Sequence, residues 1–206
     1  EDWNKTFSER HGEKLQNNPS VATVAIGGLG GLGSNIAIAL SRAGIGKLIL
    51  IDFDKVDITN LHRQQYKANQ IGQYKTDALS ENLKEIAPYI ELETHTERIA
   101  EENSAHLLQG ADIICEAFDN AECKAMLTNI VLETMPDKYF VAASGMAGMG
   151  SANSIQTRKI TEKFFLCGDE TSDVAEAGSL VAPRVMLCAA HQAHTVLRIL
   201  AGKIEN

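Results

Sequence analysis

Residues 28 to 33 read Gly-Leu-Gly-Gly-Leu-Gly, a G-x-G-x-x-G pattern between an apolar run and a helical one. Glycines there let backbone N–H groups approach phosphate oxygens, and the helix start adds partial positive charge. Gly28, Gly30, Gly31 and Gly33 are therefore candidate nucleotide-binding residues, although tight strand–helix packing alone also calls for glycine. Asp52 ends the next apolar run, where a carboxylate can accept hydrogen bonds from ribose hydroxyls. Thus far a nicotinamide dinucleotide and ATP fit equally. Beyond Asp52 come Asp54, Asn60, Arg63, Gln64 and Lys75, which bring two cations and two amides near the glycine loop. A dinucleotide diphosphate needs no such set. A triphosphate being cleaved does, because negative charge builds on its α-phosphate and leaving group. Taken singly, Arg63 and Lys75 also read as surface charges.

The elements that must position these residues follow from periodicity. Val21 to Ile26 reads as a buried strand, Gly27 to Gly33 as a loop, Ser34 to Gly44 as a helix and Lys47 to Ile51 as a second strand, together a right-handed βαβ unit. Helices are expected over Thr76–Ile86, Glu101–Leu108, Asn120–Met135 and Pro183–Leu200, and strands over Ile90–Thr94, Ala111–Ala117 and Tyr139–Ser144. The alternation predicts an α/β fold, a Rossmann-like doubly wound and mainly parallel sheet. Residues 1–206 read as one domain, with an N-terminal arm over 1–18. An acidic stretch, Gly168 to Ser179, reads as a long exposed loop, a lid or crossover over 168–182. Asp119, just before a helix, suits an N-cap.

Composition narrows the class. The 206 residues are 44% hydrophobic and 22% charged, ordinary for a globular chain. Lys and Arg total 19 against 27 Asp and Glu, a net charge of −8, which argues against a nucleic-acid partner. No apolar stretch is long enough to span a membrane and no leader pattern opens the chain, so a soluble cytoplasmic protein is expected. Cys115, Cys123, Cys167 and Cys188 are widely spaced and read as reduced thiols. Cys188, His191 and His194 fall three apart on the last helix, whose apolar character reads as core packing and not metal ligation.

The chain resembles the ubiquitin-activating-enzyme superfamily of adenylyltransferases, whose bacterial members ThiF and MoeB activate small sulfur-carrier proteins. The resemblance rests on GLGGLGSN (28–35), LILIDFDKVDITNLHRQQY (48–66), IGQYKTDAL (71–79) and EAFDNAECKAML (116–127), in order and at family spacing; VAASGMAGMGS and FFLCGD look most like a short ThiF subfamily linked to thiamine biosynthesis. It implies an antiparallel C-terminal extension to the sheet and a crossover loop. It also implies that Gly28, Gly30, Gly31 and Gly33 wrap the phosphates of ATP, that Asp52 holds the ribose, and that Asp54, Asn60, Arg63, Gln64, Lys75 and Asn120 complete the nucleotide site. Asp119 would organise magnesium or the reacting phosphate. Arg10, in the arm, would reach the neighbouring subunit's site of a homodimer, a task that suits the forked guanidinium.

In one respect the sequence departs from the family. Many relatives carry two C-x-x-C pairs that hold a structural zinc, and this chain has none, so no zinc is expected. Cys167 falls where the first pair would end; some relatives use a cysteine in this region to link covalently to the carrier, but neighbouring Asp169, Glu170 and Asp173 speak against an activated thiol. The resulting expectation is ATP-dependent adenylylation of the C-terminal glycine carboxylate of a ThiS-like sulfur carrier. Other carriers, a small-molecule or tRNA-borne carboxylate, a nicotinamide-dependent oxidoreductase, and a non-catalytic carrier-binding module remain as alternatives.

Overall fold

A computed structural model describes residues 2–12 and 18–204. One seven-stranded sheet runs in the order β3-β2-β1-β4-β5-β7-β6, with β1 Thr23–Gly27, β2 Lys47–Ile51, β3 Glu91–His95, β4 Ile113–Glu116, β5 Tyr139–Ala143, β6 Gln156–Lys159 and β7 Phe164–Gly168. All pairs are parallel except β6–β7, so the antiparallel extension is a single edge strand. Apart from helical residues 18–21, the described helices of four residues or more are α1 Trp3–His11, α2 Gly31–Arg42, α3 Lys75–Ile86, α4 Glu101–Leu108, α5 Ala121–Thr134, α6 Val174–Ala177 and α7 Ala182–Leu200. Among the described residues no helix is long and apolar enough to cross a membrane.

Alternation along the strands divides the core in two. Val24, Ile26, Leu48 and Leu50 face α2, α3 and α7 through Ile36, Leu40, Leu79, Leu83 and Val196. Ala25, Ile49, Ile114 and Phe140 face α4 and α5 through Leu107, Leu108, Leu127 and Val131. Both faces are covered, which is why these strands read as unbroken apolar runs. Strand order reverses at β1, whose neighbours are β2 and β4, and the carboxyl ends of β1 and β4 open the crevice where ligands of such sheets bind.

Some boundaries differ from expectation. Residues 18–21 are helical and Val21 is exposed, so the first strand starts at Thr23. The acidic stretch includes the short helix α6, capped by the Asp173 side chain on Ala175 N–H at 2.7 Å. The largest shift is at α2, which starts at Gly31 inside the glycine motif and not at Ser34. Its first turn lies so close to β1 that a Cβ on Gly33 would stand 1.7 Å from the Gly28 carbonyl oxygen. Gly33→Ala should therefore force the backbone apart and lower stability by about 1–3 kcal/mol, seen as a lower urea midpoint at unchanged m value.

Candidate functional site

A cleft of about 460 Å³ lies over the carboxyl ends of β1, β2 and β4. Gly28, Gly30, Gly31, Asp52, Asp54, Arg63, Gln64, Lys75, Asp119 and Asn120 all line it. Gly28 has φ +92°, and a Cβ there would stand 2.9 Å from the Ala117 carbonyl, so only glycine fits. With Gly30 as N-cap, α2 points its free N–H groups at the cleft, an arrangement suited to phosphate.

Asp52 is buried, and each of its oxygens has a structural partner. Oδ2 accepts the Leu29 N–H at 2.7 Å and Oδ1 accepts the Asp54 N–H at 2.7 Å, tying the glycine loop to the end of β2. Tyr66 locks the loop from another side by donating to the Leu29 carbonyl at 2.6 Å; burial, then Asp52 and Asp54, push its hydroxyl pKa up, so it stays a donor. Tyr66 lies in the Arg63–Lys75 stretch, and neither periodicity nor charge marked it.

Lys75 is only 6% exposed, with Asp54 Oδ2 at 3.6 Å, a loose pairing for a buried ammonium. Half-buried Arg63 donates to the Thr59 carbonyl at 3.3 Å and has no carboxylate partner among the described residues. Gln64 is buried beside Gly30, and its Oε1 has no hydrogen-bond partner. Two under-neutralised cations and an orphaned amide oxygen around a glycine loop fit a polyanion carrying hydroxyl or amino donors.

Three expected residues lie elsewhere. Asn60 does not line the cleft: its Oδ1 accepts the Asp57 N–H at 2.8 Å in a reciprocal cap, and its carbonyl accepts the N–H groups of Arg63 and Gln64 at 3.2 and 2.9 Å. It shapes the turn that presents those two residues. Gly33 is buried in the first turn of α2 and does not line the cleft. Arg10, exposed at the end of α1, is outside its own chain's cleft; α1 rests through Trp3 and Phe7 on Tyr89, which precedes β3 at the far end of the sheet.

Asp119 is not the helix cap. Asn120 caps α5, its Oδ1 accepting the Cys123 N–H at 3.0 Å, while Asp119 is exposed in the cleft with no side-chain hydrogen bond or ion pair among the described residues. Behind it lies a pair that the spacing did not reveal. Buried Glu116 accepts the Phe118 N–H at 2.7 Å and the Lys124 ammonium at 3.0 Å, and Lys124 also reaches the Ala143 carbonyl at 3.0 Å. Burial pushes the Glu116 carboxyl up, against Lys124 and the N–H groups of Phe118 and Ala143. The pair fixes the turn that carries Asp119 and ties β4 to β5. An acid closing a strand eight residues before a lysine on the following helix was the available signal.

Among the described residues no group of three or more His, Cys, Asp and Glu is placed to hold a metal. Cys115, Cys167 and Cys188 are buried, and burial pushes the thiols up, Cys188 to about 12. For Cys167 the cause is burial, not the acids after it. Asp169 pairs with Arg184 and Glu170 with Arg158, each at 2.6 Å. His191 Nδ1 lies 2.9 Å from Thr157 Oγ1.

The pattern of the ThiF family matches residues 4–206. The chain belongs to the ThiF family. Among its relatives, the adenylyltransferase and sulfurtransferase UBA4 of Lodderomyces elongisporus is 26% identical over 185 residues, 87% of this chain and 40% of that protein. The tRNA threonylcarbamoyladenosine dehydratase of Haemophilus influenzae is 40% identical over 108 residues, 52% of this chain and 41% of that protein. The chain thus spans less than half the length of either. Among solved structures, E. coli tRNA N6-threonylcarbamoyladenosine dehydratase, TcdA, in complex with ATP, shares the fold at a TM-score of 0.85 and 22% identity, over 97% of this chain and 93% of that one.

The segment that follows β7 carries a pH signature. Burial raises the Asp169 carboxyl, but the Ser172 and Thr171 N–H groups, the Ser172 hydroxyl and Arg184 more than reverse this and hold it at about 2, below its ordinary 3.8. A depressed carboxyl adds stability that is present above the unfolded pKa and lost as pH falls through the folded one. The stability gap between the parent and Asp169→Asn, measured by urea unfolding, should be constant at neutral pH and shrink between about pH 4 and pH 2.

Proposed function

We propose that this ThiF-family chain is an ATP-dependent adenylyltransferase that activates the C-terminal glycine carboxylate of a ThiS-like sulfur carrier for thiamine biosynthesis. The observation that carries the reading is the convergence of Lys75, Arg63 and the orphaned Gln64 Oε1 on the glycine loop. A nicotinamide dinucleotide leaves that set without a task. The carrier carboxylate attacks the α-phosphorus, the bond from α-phosphorus to bridging oxygen breaks, and pyrophosphate leaves with the electron pair. The protein supplies placement and charge and no nucleophile. Lys75, Arg63 and the α2 N–H groups bind the phosphates, Asp52 faces the ribose while keeping the loop closed, and Asp119 presents a free carboxylate to the phosphate region.

Magnesium bound with ATP would supply charge neutralisation at the phosphates. The donors fit it: such an ion takes one or two carboxylates and keeps its waters, and Asp119 has a carboxylate to give. Structural zinc is not part of this reading, because the sequence has no C-x-x-C pair to hold it. The chain acts as one domain in the cytoplasm, as a homodimer whose Arg10 completes the partner's site. Exposure of Arg10 away from its own cleft supports that role. A tRNA-borne carboxylate is the second reading, favoured by the likeness to TcdA and opposed by the net charge of −8.

ATP–pyrophosphate exchange measured with ThiS, with other sulfur carriers and with tRNA tests the reading; exchange that requires ThiS supports it, and exchange only with tRNA sinks it. Asp119→Ala should cut exchange about 100-fold or more. Because Asn120 is the cap, the same variant should keep the parent's unfolding midpoint. Mixing Arg10→Ala chains with Asp119→Ala chains should restore part of the activity, since each mixed dimer holds one intact site. A mixture as dead as its components, with subunit exchange verified, would remove the basis for action in trans.

A further inference from the structure

The cleft has a second wall that nucleotide binding does not explain. Opposite the glycine loop, residues 145–151 leave β5 and residues 168–180 leave β7, and Met146, Ser172, Val174 and Leu180 from these segments line the cleft. Outside the single turn of α6 no regular structure holds either segment. What holds them is Arg184, in the first turn of α7 and only 6% exposed.

All five N–H donors of its guanidinium are used. Nε reaches the Ala147 carbonyl at 3.2 Å, Nη1 the carbonyls of Gly150 and Ser151 at 3.0 and 2.8 Å, and Nη2 Ser154 Oγ at 3.1 Å and Asp169 Oδ2 at 2.6 Å. The other Asp169 oxygen accepts the N–H groups of Thr171 and Ser172 at 2.9 and 2.8 Å. Direct bonds then close the two segments on each other: Asp169 N–H to the Gly145 carbonyl at 2.8 Å and Gly148 N–H to the Ser179 carbonyl at 2.9 Å. Gly145 has φ +82°, and a Cβ on it would stand 2.0 Å from Asp169 Oδ1, so the close approach needs glycine.

We propose that Arg184, with Asp169, is the positioning residue for the carboxylate substrate, folding both segments into one preformed wall along which the substrate's tail lies. The proposal rests on the adenylyltransferase reading and adds the tail's chemistry: narrow and without a second negative charge. Met146, Val174 and Leu180 offer apolar contact. Arg184 and Arg158 neutralise Asp169 and Glu170, so these acids do not repel the incoming carboxylate, whereas exposed Asp173 on the same wall disfavours a further anion. Lysine cannot replace Arg184, having three donors and no fixed fork.

The test uses Arg184→Lys, Arg184→Met and Asp169→Asn, with ThiS as the carboxylate probe. Amide hydrogen exchange of Thr171 and Ser172 should speed up at least about tenfold in the Arg184 variants, while calorimetric ATP affinity stays within about twofold of the parent. In ATP–pyrophosphate exchange KM for ThiS should rise about tenfold or more, with a smaller change in kcat. Unchanged protection of Thr171 and Ser172, unchanged KM despite lost protection, or ATP affinity falling as far as KM rises would each overturn the proposal. If Arg184→Met does not fold, the other two variants carry the same readouts. A parent protein without ThiS-dependent exchange overturns the underlying reading first, before any variant is compared.

Discussion

A single carboxylate holds the near side of the cleft together. Asp52 ends β2, yet its two oxygens accept backbone N–H groups from Leu29 in the glycine loop and from Asp54 beyond the strand. Without it, the loop after β1 would keep only the Gly28 N–H bond to the Ile51 carbonyl as its tie to the neighbouring strand, and Asp54 would lose one of the two backbone bonds that place it near Lys75. A buried carboxylate with two N–H donors is stable only while both are in place, so the loop and the strand end form as a unit. Any hydrogen-bond donor that enters the cleft here would meet oxygens already oriented by the fold, the preorganisation that makes binding inexpensive in entropy.

The far side obeys the same rule with the charges exchanged. In a chain with a net charge of −8, a cleft whose glycine loop suits phosphate must be kept from becoming a negative field. Buried Glu116 is matched by Lys124, Asp169 by Arg184, and Glu170 by Arg158. Lys75 and Arg63, by contrast, are left with weak partners at the glycine-loop end. The acids that fix the far segments, Glu116, Asp169 and Glu170, are neutralised within the protein, and the cations beside the glycine loop are not fully so.

Much of this was legible in the sequence because it depends on short-range rules. Two-sided burial made β1, β2, β4 and β5 readable as apolar runs, and the glycine pattern between β1 and α2 gave the loop and the crevice. Asp52, Lys75, Arg63 and Gln64 could be named from type and order alone. What could not be read was which neighbour each side chain would choose. Asp119 and Asn120 are adjacent, and both suit a cap; the chain gives the cap to Asn120 and leaves Asp119 free. Asn60 has the right type for a phosphate contact but turns back on Asp57. Arg184 hid in an apolar helix start, because its partners come from segments 15 to 37 residues away in the chain.

The two walls are linked through consecutive residues of α7. Arg184 grips the segments after β5 and β7, while Val185 packs against the glycine loop so closely that a Cβ on Gly31 would stand 2.9 Å from its Cγ1. On a helix, neighbouring side chains point about a quarter-turn apart, so one turn of α7 can face both walls at once. A shift of α7 along its axis would move Val185 against the glycine loop and Arg184 against the opposite wall together, because packed interiors transmit displacement instead of absorbing it. The separation between the glycine loop and the opposite wall of the cleft is thus set by the start of one helix. In-line attack requires the reacting atoms to be held within a few tenths of an ångström, and a single rigid element meets that demand better than two loops positioned independently.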